Sequence, residues 1–218
     1  MHKFDAAELD YAIRLTVTSD QVGLLPDSLE FICKNFHPQR IQAEPTFQIG
    51  RGIDAPSVET EAFISAFREA RYRAKLYGFD FNFAPVRLDN LSNHVCGITQ
   101  DSFGLSADGN VTSCYIAFSE DMLWADQFFY GKPKSDGYVF NLPVLNNLRK
   151  QTLDHKEYCQ GCFAKWSCSG DCHYNQLSES NGQIFSGSDR CVIIRALTQD
   201  QLIENIVNAG GIVWSPAP

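Results

Sequence analysis

Cys159-Gln160-Gly161-Cys162-Phe163-Ala164-Lys165-Trp166-Ser167-Cys168-Ser169-Gly170-Asp171-Cys172 sets four thiols at Cys-x2-Cys-x5-Cys-x3-Cys spacing. Working outward, a lone Cys191 follows after eighteen intervening residues. Upstream, Cys96 is followed by twelve residues, Gly109, four residues and Cys114. Of the eight cysteines only Cys33 lies outside this set. Pairs two or three residues apart let thiolates converge from a tight turn, and distant cysteines close the shell. Seven thiolates exceed what one tetrahedral ion can use. They suit two multi-iron clusters, one of them short of a cysteine.

Eight cysteines in 218 residues fall far below the density of a small secreted disulfide scaffold. Nothing in Met1–Asp20 joins a basic start, an apolar run and a small-residue cleavage site. A reducing cytoplasm is therefore expected, where clustered cysteines signal metal or catalysis. The net charge of −8 leaves no phosphate-binding footprint, so nucleic acid is not an expected partner. No apolar run is long enough to cross a membrane, and neither a fixed-period repeat nor a low-complexity block is present.

The first part of the chain reads as α/β. In Ala12–Thr18 the apolar Ile13, Leu15 and Val17 alternate with Arg14, Thr16 and Thr18, as in a strand with one buried face. Pro26-Asp27-Ser28 then starts a helix whose apolar stripe is Leu29, Ile32, Cys33 and Phe36. A second extended run, Arg40 to Phe47, leads into the loop Ile49-Gly50-Arg51-Gly52. A longer helix is expected to open at Pro56-Ser57, with Phe63, Phe67, Ala70, Ala74 and Tyr77 on one face and Gly78 as its cap. Phe79, Phe81 and Phe83 alternate as a third strand. This order reads as consecutive βαβ units and a parallel sheet. Beyond about Val86 periodicity fades and Gly, Asn, Asp, Ser and Cys become frequent. One late helix is expected from about Arg190 to Asn208, ended by Gly210-Gly211.

The seven-position cysteine pattern resembles the SPASM domain, the C-terminal extension of radical S-adenosylmethionine enzymes that modify peptides and proteins. Asp108-Gly109-Asn110-Val111 looks like the hairpin turn before that domain's second cysteine. Ile13-Arg14-Leu15-Thr16-Val17-Thr18, and Glu44-Pro45-Thr46-Phe47 with Gly50-Arg51-Gly52, resemble closing βα units of the radical SAM partial barrel. The resemblance implies an end-of-barrel segment over residues 1–90 and, over 91–218, an irregular, cysteine-organised domain with a small β-hairpin and the late helix.

By the same resemblance, Cys159, Cys162, Cys168 and Cys191 would hold one [4Fe–4S] cluster, and Cys96, Cys114 and Cys172 the other. Asp101, His94 or His173 would complete the three-cysteine cluster, or its vacancy would be open to substrate. Cys-x3-Cys-x2-Cys, which would hold the cluster that cleaves S-adenosylmethionine, does not occur. The chain is therefore expected to be the C-terminal part of a longer enzyme acting on a peptide or protein substrate, with a reductant protein as second partner. In the sulfatase-maturing branch an aspartate follows the cysteine matching Cys114. Here that neighbour is Tyr115, which disfavours formylglycine formation.

Blander readings stand beside these. Cys33 lies on an apolar stripe and suits a buried small hydrophobe. His94 and His173 read as ordinary hydrogen-bonded histidines. Arg51 faces S-adenosylmethionine or substrate, or is a plain surface arginine. Phe163 and Trp166 suit packing that shields a cluster from water. Zinc is the rival metal, and a non-catalytic module that holds a peptide for another enzyme is the rival function. Finally, the strand Ala12–Thr18 is expected to present an unpaired edge through which copies self-associate.

Overall fold

A parallel sheet forms first along the chain. After a short helix α1 (His2–Ala6), strand β1 (Ala12–Val17) pairs with β2 (Arg40–Pro45), with Ile13 opposite Ile41 and Leu15 opposite Ala43. Helix α2 (Leu25–Asn35) connects them, burying Leu25, Pro26, Leu29, Ile32 and Cys33, and Phe36 is buried just past its end. Helix α3 (Thr60–Leu76) leads to β3 (Phe81–Asn82), which pairs parallel to β2, so the sheet order is β1-β2-β3. The computed structural model describes residues 1–48 and 54–212 of the chain. The loop residues Ile49, Gly50, Arg51 and Gly52 lie outside that range.

Helix α3 begins later than Pro56-Ser57 suggests. The Glu59 carboxylate accepts the backbone N–H groups of Glu61 at 3.0 Å and Ala62 at 2.6 Å, satisfying donors that a helix start leaves open. From there Phe63, Phe67, Ala70 and Ala74 share one buried face, whereas Tyr77 ends the helix exposed. The Phe67 ring stacks on Phe81 at 4.4 Å between centroids, and Phe63 meets Phe83 at 5.9 Å. Burying each such ring stabilises the fold by about 1.5–3 kcal/mol. The third strand is shorter than the Phe79–Phe83 alternation predicts, although Phe81 and Phe83 are buried as that alternation requires.

Contacts divide the chain into two compact units, residues 1–88 with the segment from Asp189 onward, and residues 89–188. In the second unit β4 (Gly104–Leu105), β5 (Val111–Thr112), β6 (Phe129–Lys134) and β7 (Gly137–Phe140) form an antiparallel sheet in that order. Three helices follow, α4 (Leu142–Arg149), α5 (Lys165–Cys168) and α6 (His173–Glu179). The turn between β4 and β5 places Gly109 at φ +78°, a left-handed conformation that glycine adopts without strain. The Ser106 N–H donates to the Asn110 carbonyl at 2.9 Å across it.

The expected small hairpin is β4–β5 with Gly109 in its turn, and beyond that expectation residues 89–188 extend it to a four-stranded sheet accompanied by three helices. The late helix is reassigned. Helix α7 (Asp189–Asn208) belongs to the first unit, not to the cysteine-rich domain. Its Ile193, Ile194 and Leu197 are buried, and it packs against α3. Arg68 pairs with Asp200 at 2.7 Å, Arg71 with Glu204 at 2.8 Å, and Lys75 also reaches Glu204. Exposed pairs of this kind add little, about 0–1 kcal/mol each, so the apolar stripe decides the docking.

Candidate metal centre

In the second unit, sequence-local turns place the cysteines. The Cys162 N–H donates to the Cys159 carbonyl at 3.0 Å, making a tight turn of the Cys-x2-Cys pair. Cys168 ends α5, and Cys172 stands at the cap position before α6. Between them the backbone runs through Ser169 at φ +56°, Gly170 at +78° and Asp171 at +54°. Three successive left-handed residues, two of them not glycine, are a strained turn that surrounding contacts must hold. Ser169 Oγ donates to the Ser92 carbonyl at 2.8 Å, and Gln176 Nε2 donates to the Gly170 carbonyl.

Burial pushes the Cys172 thiol up to about 11, opposed by an N–H from Asn175 to its sulfur, while Asp171, Cys114 and Cys96 add to the rise. Burial likewise raises the Cys114 thiol, whose sulfur accepts the N–H groups of Ile116 and Ala117 and senses Cys96. Cys96 itself is exposed. Cys159 and Cys168 are buried and Cys162 is half-buried. Cys191 lies in the first turn of α7 and belongs to the other unit.

Beside Cys159, Cys168 and Cys172 stands a cation that the cysteine spacing gave no reason to notice. Lys156 Nζ donates to the carbonyls of Gly170 at 2.8 Å and Asp171 at 3.2 Å and to Gln176 Oε1 at 2.9 Å. Burial draws its pKa down, and Cys159, Asp171, Cys168 and Cys172 oppose that by their charge. A pocket of 530 Å³ opens alongside, with Lys156, His155, Tyr158, His173, Gln176 and Phe185 among its walls.

The side chains considered for the incomplete cluster fare differently. Arg149 takes both carboxylate oxygens of Asp101, Nε at 2.7 Å and Nη2 at 2.8 Å, and this guanidinium holds the Asp101 carboxyl below its ordinary value. His94 Nδ1 lies 2.8 Å from Thr99 Oγ1. His173 packs its ring 5.8 Å from that of Phe128, and burial lowers its pKa to about 4, which leaves a neutral imidazole. No hydrogen bond to the His173 ring is seen among the described residues. Phe163 and Trp166 are exposed rather than packed as a shield, and Tyr115 is 89% exposed. Cys33 is buried in α2 with a thiol raised by burial, as a core residue should be. Arg51 is outside the described residues.

Among the described residues no group of three or more His, Cys, Asp or Glu side chains is placed to hold a metal ion. Two thiolate chemistries are open to such a cysteine set, a single zinc ion and an iron–sulfur cluster. Four thiolates around a single zinc at about 2.3 Å must converge tightly, whereas a cluster takes each thiolate on a different iron. Buried cysteine sulfurs that accept backbone N–H groups are the setting by which proteins tune such clusters. Among the described residues no helix is long and apolar enough to cross a membrane. No protein-family model matches the chain, and no curated protein or solved structure is significantly similar to it.

Proposed function

We propose that this chain is the cluster-bearing part of a radical S-adenosylmethionine enzyme of the SPASM type, one that modifies a peptide or protein and uses auxiliary [4Fe–4S] clusters to bind substrate or pass an electron. The reading is supported by the spacing of the seven cysteines from Cys96 to Cys191, of which Cys114, Cys159 and Cys168 are buried. Of the three thiols proposed for one cluster, Cys114 is buried, Cys172 half-buried and Cys96 exposed. Asp101 is engaged by Arg149 and His94 by Thr99, so the fourth position of the three-cysteine site is proposed for His173 or for substrate.

When bound, such clusters supply one-electron chemistry and an open iron for a substrate group. The residues of the chain would supply the thiolates and, at the buried Cys114, Cys159 and Cys168, keep water away. Replacing Cys159 and Cys162 together by Ala should remove about half the iron of anaerobically reconstituted protein. Iron unchanged by that pair of substitutions would count against two separate ligand sets.

A further inference from the structure

We infer that the 530 Å³ pocket is a peptide-recognition site, which takes an uncharged apolar or aromatic side chain and hydrogen-bonds the peptide groups next to it. It rests on the function proposed above only in calling that peptide a substrate. All the walls belong to the second unit, and the volume is that of a ligand site, about 300–1,000 Å³. Tyr158, Leu177, Ile184 and Phe185 supply the apolar walls, with the Tyr158 and Phe185 rings edge to face at 5.5 Å. Gly187, at φ +108°, leaves no room for a Cβ against the Tyr158 hydroxyl, so a close backbone approach backs the aromatic wall. Ile184 is 90% exposed and adds almost no burial to the fold, whereas a ligand in the pocket would cover it.

The polar groups of the wall select the ligand class. Lys156 is the lysine among them, and its Nζ already donates to the Gly170 and Asp171 carbonyls and to Gln176 Oε1. Those donors are spent inside the protein, so a phosphate or carboxylate finds little to hold it. Glu157 is the carboxylate of the wall and is exposed, where pairing with a cation adds little. Neutral amides remain. Gln151 Nε2 donates to the Asn147 carbonyl at 3.3 Å, and no donor to its Oε1 is seen among the described residues. The exposed Gln183 side chain has no hydrogen-bond partner among the described residues. A carboxamide carries both an N–H donor and a C=O acceptor, the reciprocal of what a peptide group presents. Open glutamines beside an apolar cavity therefore match a peptide segment better than an ion or a hydrocarbon.

The test titrates the full 218-residue chain with N-acetylphenylalaninamide, a blocked residue with two peptide-like groups, and follows the probe by NMR. Saturable binding is expected with a Kd of about 1 mM, the scale for a ligand of that size. Ile184→Asp should weaken it about tenfold by setting a charge against the apolar group, and Gln183→Ala about threefold by removing an amide partner. Both positions are exposed, so melting temperatures should not change, and if Ile184→Asp does not fold, Gln183→Ala carries the comparison. N-acetyllysinamide, N-acetylaspartamide and free phenylalanine should each bind more weakly than the probe. No saturable binding, or binding that neither variant weakens, overturns the site. Equal binding of the charged probes overturns the uncharged class, and equal binding of free phenylalanine overturns the peptide. Iron per chain, measured separately, tells the two readings apart: probe binding by a chain that takes up no iron upholds the pocket and overturns the cluster reading, whereas iron uptake without probe binding overturns the pocket alone.

Discussion

Asp101 and His173 show what a single residue's surroundings decide. Both stood open as the missing ligand on sequence grounds, because spacing says nothing about which carboxylate already has a partner. Arg149 engages Asp101 through two nitrogens, so Asp101→Ala should leave iron per chain unchanged, whereas His173→Ala should lower it. Iron loss from the aspartate variant, measured on reconstituted protein, would reverse that assignment. The same ion pair has a pH signature. Its hydrogen bond to Arg149 depresses the Asp101 pKa below 3.8, so its contribution is present above that pH and is lost as pH falls through the folded-state value. The melting-temperature gap between wild type and Asp101→Asn should accordingly close in strong acid.

In the first unit the residue to test is Arg190, 3.0 Å from Glu44 with both side chains under a tenth exposed. Its guanidinium lies 4.5 Å from the centre of the Phe47 ring and 5.3 Å from that of Phe83. Glu44→Gln should cost about 3–5 kcal/mol in denaturant unfolding, because a buried charge loses its opposite. A double replacement by apolar residues should cost far less. Equal losses would show the pair is not a coupled unit.

At the scale of elements, the βαβ units were legible because one buried face imposes a period. Ile13, Leu15 and Val17 marked β1, and Leu29, Ile32 and Cys33 marked α2. The start of α3 was misread because Pro56-Ser57 imitates a helix start, while the cap in use is the less common Glu59. The hairpin of β6 and β7 is not among the sequence expectations: Lys134 pairs with Gly137 around a Ser135-Asp136 turn, and Pro133 within Phe129–Lys134 masks the strand pattern. Pro133 faces Tyr138 in the outer pair of the sheet, where the ladder tolerates it. In α3, Phe67→Ala should destabilise the chain by about 3–5 kcal/mol, since this ring packs on Phe63, Phe81 and Phe83. A loss under about 1 kcal/mol in the same unfolding measurement would mean that the aromatic cluster is not the core of the unit.

Strand β1 is an edge of its sheet, with no strand on its outer side among the described residues. Only Val17 of its six residues is buried, while Ile13 and Leu15 are partly covered. Pairing of this edge with a second copy predicts a dimer in light scattering at micromolar concentration, weakened by Leu15→Lys. A clean monomer before the substitution, with slow hydrogen exchange along Ala12–Val17, would show that the edge needs no partner.

Across the whole molecule, chain order and spatial grouping part company. Helix α7 follows the cysteine-rich segment in sequence but packs on α3, because an apolar stripe such as Ile193, Ile194 and Leu197 does not announce which surface it will meet. The cysteine spacing is read directly from the sequence, whereas the two backbone carbonyls and the Gln176 side-chain oxygen that folding brings to Lys156 are not. Before Cys96 the one thiol is Cys33, buried in α2. The 218 residues alone should therefore yield no 5′-deoxyadenosine from S-adenosylmethionine under dithionite, and its formation would contradict the assignment of this chain to the auxiliary centre. The most direct measurement is iron, sulfide and zinc per chain after anaerobic isolation: two [4Fe–4S] clusters predict about eight iron and eight sulfide with a brown absorbance shoulder, and stoichiometric zinc without sulfide would contradict the account.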